Sequence, residues 1–539
     1  MRAPSCAGEA DPASWIERRL FPKNAVLNFF VVACLATAFS YLLTGRQILS
    51  ANWGLIDDHE VFTYLGSSLH LSPGEIWHTL LNKTEVGQLD GRFRPAFYLV
   101  KVVEAAVFGA NVHLWYLTNA VCFALFLSSI WWTMLRFVGI WLSGTLTASI
   151  ALLPLWAGVW SRLGPSEIYG AACVGLMLFA ANPIFFSDNM SARKAGAVVF
   201  ALAGVMLAGM KETFLPLTLV PVAVVFFHAS FQARLPTWLL SILGFAVLAA
   251  ISGIVAAVIK EQHGGVDFYG RANGLRPTIF FTILGFFDAL LRTWWLWVLP
   301  IAFFQLLKVL PRRSIFEWFS QSIVAVAIYA LLLVMYAAQC GLYRMSFPHN
   351  SRYDFPAMLL VPLTCCVLTC DISCKLRKHF SQRTMDYVQF VAAFFLIFMM
   401  ASALVGTTPA LAVAVKKNIE TTNTFSNELE RLVSAAKAAP GSPIILEANG
   451  PIAYESVFSL MAYITALGVK NPISVRLHRD AAQSGAFTDG LQASLAGLES
   501  GGSLGLTPLA RSLSSASGGC LSVGLYGPAD PSCSPFHID

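Results

Sequence analysis

The sequence predicts a polytopic α-helical membrane protein carrying a small C-terminal α/β domain. Three observations predict it. Charged residues make up only 12% of the 539-residue chain against 56% hydrophobic residues, whereas soluble proteins carry about 25% charged residues. The apolar residues come in blocks of about twenty, the length that crosses a hydrocarbon core of roughly 30 Å. After about residue 408 the composition turns to Ser, Gly, Thr and Ala with short apolar stretches.

The same figures exclude other classes. A net charge of +6 over this length, without a run of five basic residues, leaves no nucleic-acid footprint. None of the eleven cysteines forms a C-x-x-C pair, and Cys34, Cys122, Cys173 and Cys365 lie inside apolar runs as small packing residues.

The first span is expected over Ala25–Leu43, behind a polar head containing Arg18, Arg19 and Lys23. The A-x-A at Ala36–Ala38 imitates a cleavage site, but the apolar run continues past it, so the helix is expected to be retained. Further spans are expected at 112–135, 138–160, 168–186, 195–210, 214–230, 236–259, 294–309, 319–339, 355–371 and 387–407, about eleven in all. Residues 95–110, with Lys101 and Glu104, and 277–292, with Asp288 and Arg292, carry charges at helical spacing and are expected to lie along the outer interface. Counting Lys and Arg in the short loops gives about fifteen on one side against about eight on the other, which places the N-terminus inside. The membrane domain is thus 1–407, with a long first outer loop at 45–111, and 408–539 forms a soluble domain on the outer side.

In that C-terminal domain PIILEANG, PISVRLH and CLSVGLY read as strands, 451–468 as an amphipathic helix, and the Gly/Ser-rich 484–519 as loop. Cys520 and Cys533 either pair, as an oxidising compartment would favour, or remain free thiols.

Polar residues that the composition does not explain gather in five stretches of the outer loops. The first outer loop holds NWGLIDDHEVF, with Asp57, Asp58 and His59, and later DGRFRPAFY, with Arg92 and Arg94. SRLGPSEIYG supplies Arg162 and Glu167, MKETF supplies Lys211 and Glu212, and YRMSFPHNSRYDFP supplies Arg344, His349, Arg352 and Tyr353. Many such residues simply snorkel to the interface or anchor there. Asp57 and Asp58 stand apart, because adjacent carboxylates beside apolar Ile56 repel each other. One of them can take a proton from a hydroxyl nucleophile, and the nearby cations can hold a phosphate.

A first membrane helix, an Asp-Asp pair at the start of a long outer loop, a KE turn and a late R-Y-x-x-P together resemble the GT-C superfamily of integral-membrane glycosyltransferases. That group includes the protein mannosyltransferases, the lipid A aminoarabinose transferase and the mycobacterial arabinofuranosyltransferases. The resemblance covers about residues 24–407 in layout. It implies a multi-pass protein of the bacterial inner membrane that moves a sugar from a polyprenyl-phosphate donor to a glycan, lipid or protein hydroxyl at the outer face. Asp57 or Asp58 would be the base or a metal ligand, with a divalent metal compatible with the sequence but not required by it. Arg352, Tyr353, Lys211 and Glu212 would hold the donor phosphate, with Arg162 and, by charge alone, Arg94. Glu167, His59 and Arg344 would serve the acceptor or the surroundings. Asp354 departs from the pattern by setting a negative charge directly after the Arg-Tyr pair. A transporter or flippase of lipid-linked glycans, or a polymerase of them, is the competing class. Transporters generally place polar sites near mid-membrane on repeated, broken helices, and no repeat of spans is visible here.

Overall fold

A computed structural model describes residues 25–65, 68–87, 94–218, 244, 248–249, 251–253, 275–298, 323–343, 345, 349, 351–406, 408–448, 453–477, 520–525 and 533–538. Helix α1 (Ala25–Ser50) leads into the acidic loop, the short helices α2 (His59–Leu65) and α3 (Ile76–Asn82), and α4 (Pro95–Phe108). Pro95 sits in the first turn of α4, where its missing N–H costs nothing. The bundle continues with α5 (Val112–Leu135), α6 (Ile140–Ala151), α7 (Ala157–Trp160), α8 (Glu167–Phe186) and α9 (Met190–Ala208), then α10 (Leu275–Thr293), α11 (Ile323–Tyr343), α12 (Leu360–His379) and α13 (Gln382–Gly406).

Helix α5 packs between α1 and α8, α8 packs on α9, and α10 pairs with α11. Close approach depends on small residues, as expected where apolar burial alone cannot drive helix association. A Cβ on Gly175 would come within 2.9 Å of the Phe126 backbone. The core is aromatic, with Trp115, Trp156, Trp160, Tyr116, Phe123 and Phe126 all fully buried.

The chain is a polytopic helical protein, but the span count is lower than the sequence suggested. Among the described residues six helices are long and apolar enough to cross a bilayer, or seven if a bent pair counts as one. That pair, Ile140–Ala151 and Pro154–Trp160, bends by 53° where Pro154 has no N–H to continue the helix. It replaces the straight span expected at 138–160. The apolar stretches Ala325–Gly341 of α11 and Ala357–Cys370, which runs from a 3-10 turn into α12, are shorter than a full span. Most of each of the expected spans at 214–230, 236–259 and 294–309 lies outside the described residues, as does loop 484–519.

The two interfacial helices also need correcting. Of residues 277–292, all but the first fall within the span-length stretch Thr278–Val298. Its charges are satisfied inside the protein: Arg292 donates to Asp354 at 2.9 Å and to the Tyr336 hydroxyl at 2.8 Å, as intramembrane charges generally require. In α4, Lys101 and Glu104 are buried rather than turned to an interface. Lys101 donates to the Leu163 carbonyl at 2.9 Å and lies over the Trp115 ring, while Glu104 accepts from the Tyr169 hydroxyl at 2.7 Å.

Past residue 408 the first element is one the composition concealed. Helix α14 (Ala410–Ala438) runs 29 residues and buries Leu411, Val415, Thr422, Phe425, Leu429, Leu432 and Ala436, an amphipathic stripe. It precedes β1 (Ile444–Ala448), α15 (Ala453–Ala466), β2 (Ile473–Leu477), β3 (Leu521–Leu525) and β4 (Ser534–Ile538). The strands form one parallel sheet in the order β2-β1-β3-β4. The fourth strand was not legible in advance. Cys520 and Cys533 are joined as a disulfide. The core of this domain extends across residue 408, because Leu55 and Phe62 of the first outer loop pack within it beside Phe425 and Tyr463.

The Asp354 side chain is 1% exposed and the Arg292 side chain 23%. Replacing Arg292 by Met leaves a buried carboxylate without its guanidinium, a change that typically costs about 3–5 kcal/mol. Thermal unfolding in detergent is expected to show a large fall in melting temperature for Arg292→Met, and a much smaller one for the double variant Arg292→Met/Asp354→Leu.

Candidate functional site

Alternation of the packed helices gathers several span ends on one side. The acidic loop follows the C-terminal end of α1, Arg162 follows α7, Glu167 opens α8, and Lys211 follows α9. Arg352 and Tyr353 arrive from the other half of the chain on a single 3-10 turn, Arg352–Asp354, capped by the Ser351 hydroxyl.

At the centre, one oxygen of Asp57 accepts from two guanidiniums, Arg162 at 2.9 Å and Arg352 at 3.1 Å. Arg352 also donates to the Tyr353 hydroxyl at 3.2 Å. Lys211 lies 5.9 Å from the centre of the Tyr353 ring and donates to Glu167 at 2.7 Å, both members of that pair being buried. The carboxylate that holds Lys211 is therefore Glu167, which opens α8. Glu212 opens the 3-10 turn Glu212–Phe214; its side chain lies outside the described residues.

The backbone accommodates this convergence at a local cost. Asp57 has φ 71°, a left-handed conformation that few non-glycine residues adopt and that clusters at functional sites. Gly164 faces it, and a Cβ there would stand 2.2 Å from the Asp57 Cβ. The loop bearing Arg162 is held from three helices. Gln47 donates to the Trp160 carbonyl at 2.7 Å, Asn119 to the Arg162 carbonyl at 2.8 Å, and Lys101 to that of Leu163.

The two acidic neighbours differ in environment. Burial works against the charge on Asp57, but the Arg162 and Arg352 guanidiniums hold its carboxyl down at about 2. Asp58 is 4% exposed, and this burial pushes it up to about 7 although it accepts the Gly54 N–H at 2.7 Å. His59 is buried with its ring edge-on to Phe458, and burial lowers it to about 4, leaving the imidazole neutral near pH 7. Burial also opposes the charge on Arg352, yet Asp57, Tyr353 and Glu167 keep that guanidinium above its ordinary value.

The remaining sequence candidates fall elsewhere. Arg94 stands at the head of α4, where its charge acts on the buried Tyr98 hydroxyl together with Glu60 and Glu85. His349 is exposed, 3.9 Å from Asp288. Arg344 and Arg92 lie outside the described residues. Asp354 turns from the Arg352 side to Arg292, so its charge is neutralised within the fold. Among the described residues no three His, Cys, Asp or Glu side chains gather as a metal site.

Sequence reasoning missed Gly164, Arg292 and Lys101 as members of this framework. Charge within apolar helices was the signal for Arg292 and Lys101; Gly164 gave none beyond being a glycine in a polar turn. No protein-family model, no curated protein and no solved structure matches the chain.

The raised value of Asp58 fixes the sign of a pH effect. A carboxyl that binds its proton more tightly folded than unfolded contributes stability at low pH, and that contribution is lost as pH rises from about 4 through about 7. Asp57 acts oppositely, losing its contribution as pH falls from about 4 towards 2. Melting temperatures of parent and Asp58→Asn, measured between pH 4.5 and 8 (chosen to span roughly the Asp58 titration), are expected to draw together at the acid end. The variant should gain on the parent as pH rises.

Proposed function

We propose that this protein is a GT-C-type membrane glycosyltransferase that moves a sugar from a polyprenyl phosphate to a hydroxyl of a cell-envelope glycan, lipid or protein. The observation that carries the reading is the shared oxygen of Asp57. A carboxylate held by two guanidiniums, with a buried lysine and a tyrosine beside them, is a proton acceptor next to a site for a phosphate. All of these groups project from span ends, the depth to which a lipid-anchored sugar phosphate is confined. The reading places the reaction at the outer face of a bacterial inner membrane, with the N-terminus inside and the disulfide-bearing C-terminal domain outside.

In this mechanism the donor phosphate competes with Asp57 for Arg352 and Arg162. Guanidinium matches phosphate with two parallel hydrogen bonds, and Lys211 adds charge close to the Tyr353 face. Once its partners turn to the phosphate, Asp57 loses the interactions that hold it at about 2 and becomes basic enough to accept a proton. The acceptor O–H gives its proton to Asp57 as its oxygen bonds to the anomeric carbon. The bond from that carbon to the phosphate oxygen breaks, and the electron pair leaves on polyprenyl phosphate, where the cations stabilise the charge. Direct displacement inverts the anomeric centre. Asp58, bonded to the loop backbone, shapes the loop instead of meeting substrate.

Replacing Asp57 by Asn keeps the shape and removes the base, so transfer from a polyprenyl-phosphate sugar by purified protein should fall about 10²–10⁴-fold. Arg352→Lys should raise the KM for donor, because an ammonium cannot reproduce the two-pronged grip. Transfer by Asp57→Asn at the parent rate, with an unchanged melting curve, would move the reading to a transporter of lipid-linked glycans.

A further inference from the structure

The acidic loop that ends at Asp57 and Asp58 makes few hydrogen bonds of its own. Between Ala51 and Asp58 the backbone follows neither helix nor strand, so its polar groups must find partners elsewhere. They find them largely in the C-terminal domain. The Asn52 N–H donates to the Thr422 hydroxyl at 3.1 Å, and the Asn52 side chain donates to Asn423 at 2.9 Å, both on α14. The Asn52 carbonyl accepts from Tyr116, whose hydroxyl in turn accepts from Asn418 at 2.9 Å. Two residues on, the Gly54 carbonyl accepts from the Tyr463 hydroxyl at 2.6 Å, on α15.

Gly54 links this contact to the acidic pair. Its carbonyl faces Tyr463 and its N–H donates to Asp58. The two bonds hold the adjacent peptide groups on either side of the Gly54 Cα, so together they fix the backbone at that residue. Tyr463 is fully buried, tilted against Phe62 with ring centres 4.6 Å apart and edge-on to Phe425 at 5.1 Å. Its hydroxyl is thus carried on a ring that cannot swing away. Phe458, on the same helix α15, meets the His59 ring. Asp58 follows Asp57 directly, so fixing Gly54 and Asp58 fixes the entry to the left-handed Asp57 and the direction of its carboxylate.

We infer that Tyr463 and the Asn418–Thr422–Asn423 face of α14 are positioning residues for Asp57, making the C-terminal domain an integral part of the candidate site. The kinetic consequence rests on the glycosyltransferase reading; the structural consequence does not. Tyr463 donates to the loop backbone at Gly54 and packs against Phe62 and Phe425, whereas Arg352 and Lys211 are held by Asp57, Tyr353 and Glu167. Its loss should therefore disturb the proton acceptor and leave the phosphate grip in place.

The test is Tyr463→Phe in the full chain, which removes one oxygen and keeps the packed ring, with Thr422→Val as a second variant acting on the same loop. Hydrogen-exchange mass spectrometry in detergent should show amides of 51–58 exchanging about three- to tenfold faster in each variant, the scale of one hydrogen bond lost. Peptides of β1, β3 and α14 should keep the parent rate. Transfer assays should show kcat reduced several-fold, with the KM for polyprenyl-phosphate sugar unchanged. Parent-like exchange over 51–58 in both variants would overturn the inference. So would faster exchange spread over the whole C-terminal domain, which would make Tyr463 a support of that domain's own core. A parent that transfers no sugar would remove the glycosyltransferase reading, and the exchange result would still decide the positioning role.

Discussion

The oxygen of Asp57 that Arg162 and Arg352 share is the contact around which the rest of this structure is arranged. It joins segments 105 and 295 residues apart in the chain. To make it, Asp57 takes a left-handed backbone and Gly164 gives up its side chain so that two loops can touch. Three buried donors from α1, α4 and α5 fix the carbonyls of the Arg162 loop. Each device has a cost in isolation. Together they hold charge in a fixed geometry at the end of an apolar bundle, where water would otherwise disperse it.

The turn Arg352–Asp354 explains how the proposed phosphate site tolerates an acid beside its main cation. Consecutive residues of so tight a turn point in different directions, and here Arg352 reaches Asp57 while Asp354 reaches Arg292. The negative charge is buried against α10 and balanced there. That pairing also gives an apolar, span-length helix a firm polar attachment to the turn that carries the candidate donor grip.

Much of the bundle was legible because span length and apolarity are local properties. The helix at 112–135 has the bounds that hydropathy suggests, and span alternation alone brought Asp57, Arg162, Lys211 and Arg352 to one face. Pairing was not legible. Adjacent Lys211 and Glu212 invite a shared role, yet Lys211 is held by Glu167 from the start of another helix. Residues 277–292 looked interfacial because of two charges, since nothing in sequence announces that Asp354 will neutralise Arg292. Helix α14 escaped notice for the opposite reason. Lys416, Lys417 and Glu420 dilute its apolar residues, although Leu411, Val415, Ile419, Thr422, Phe425, Leu429 and Leu432 recur every three or four positions and could have been counted. The link from that helix to the acidic loop, across about 370 residues, is long-range packing that no periodicity encodes.

If Asp57 serves as the base, its proton affinity must depend on who else occupies Arg162 and Arg352. The measurement that reaches this most directly is a carbon-13 titration of the Asp57 carboxyl in aspartate-labelled protein, its resonance assigned by its loss in Asp57→Asn. Without ligand it should titrate near 2, and saturating polyprenyl phosphate should raise it towards the ordinary carboxylate value of about 3.9 or above. A value that stays near 2 with polyprenyl phosphate bound would mean that the guanidiniums never leave the carboxylate, and Asp57 could not be the group that takes the proton.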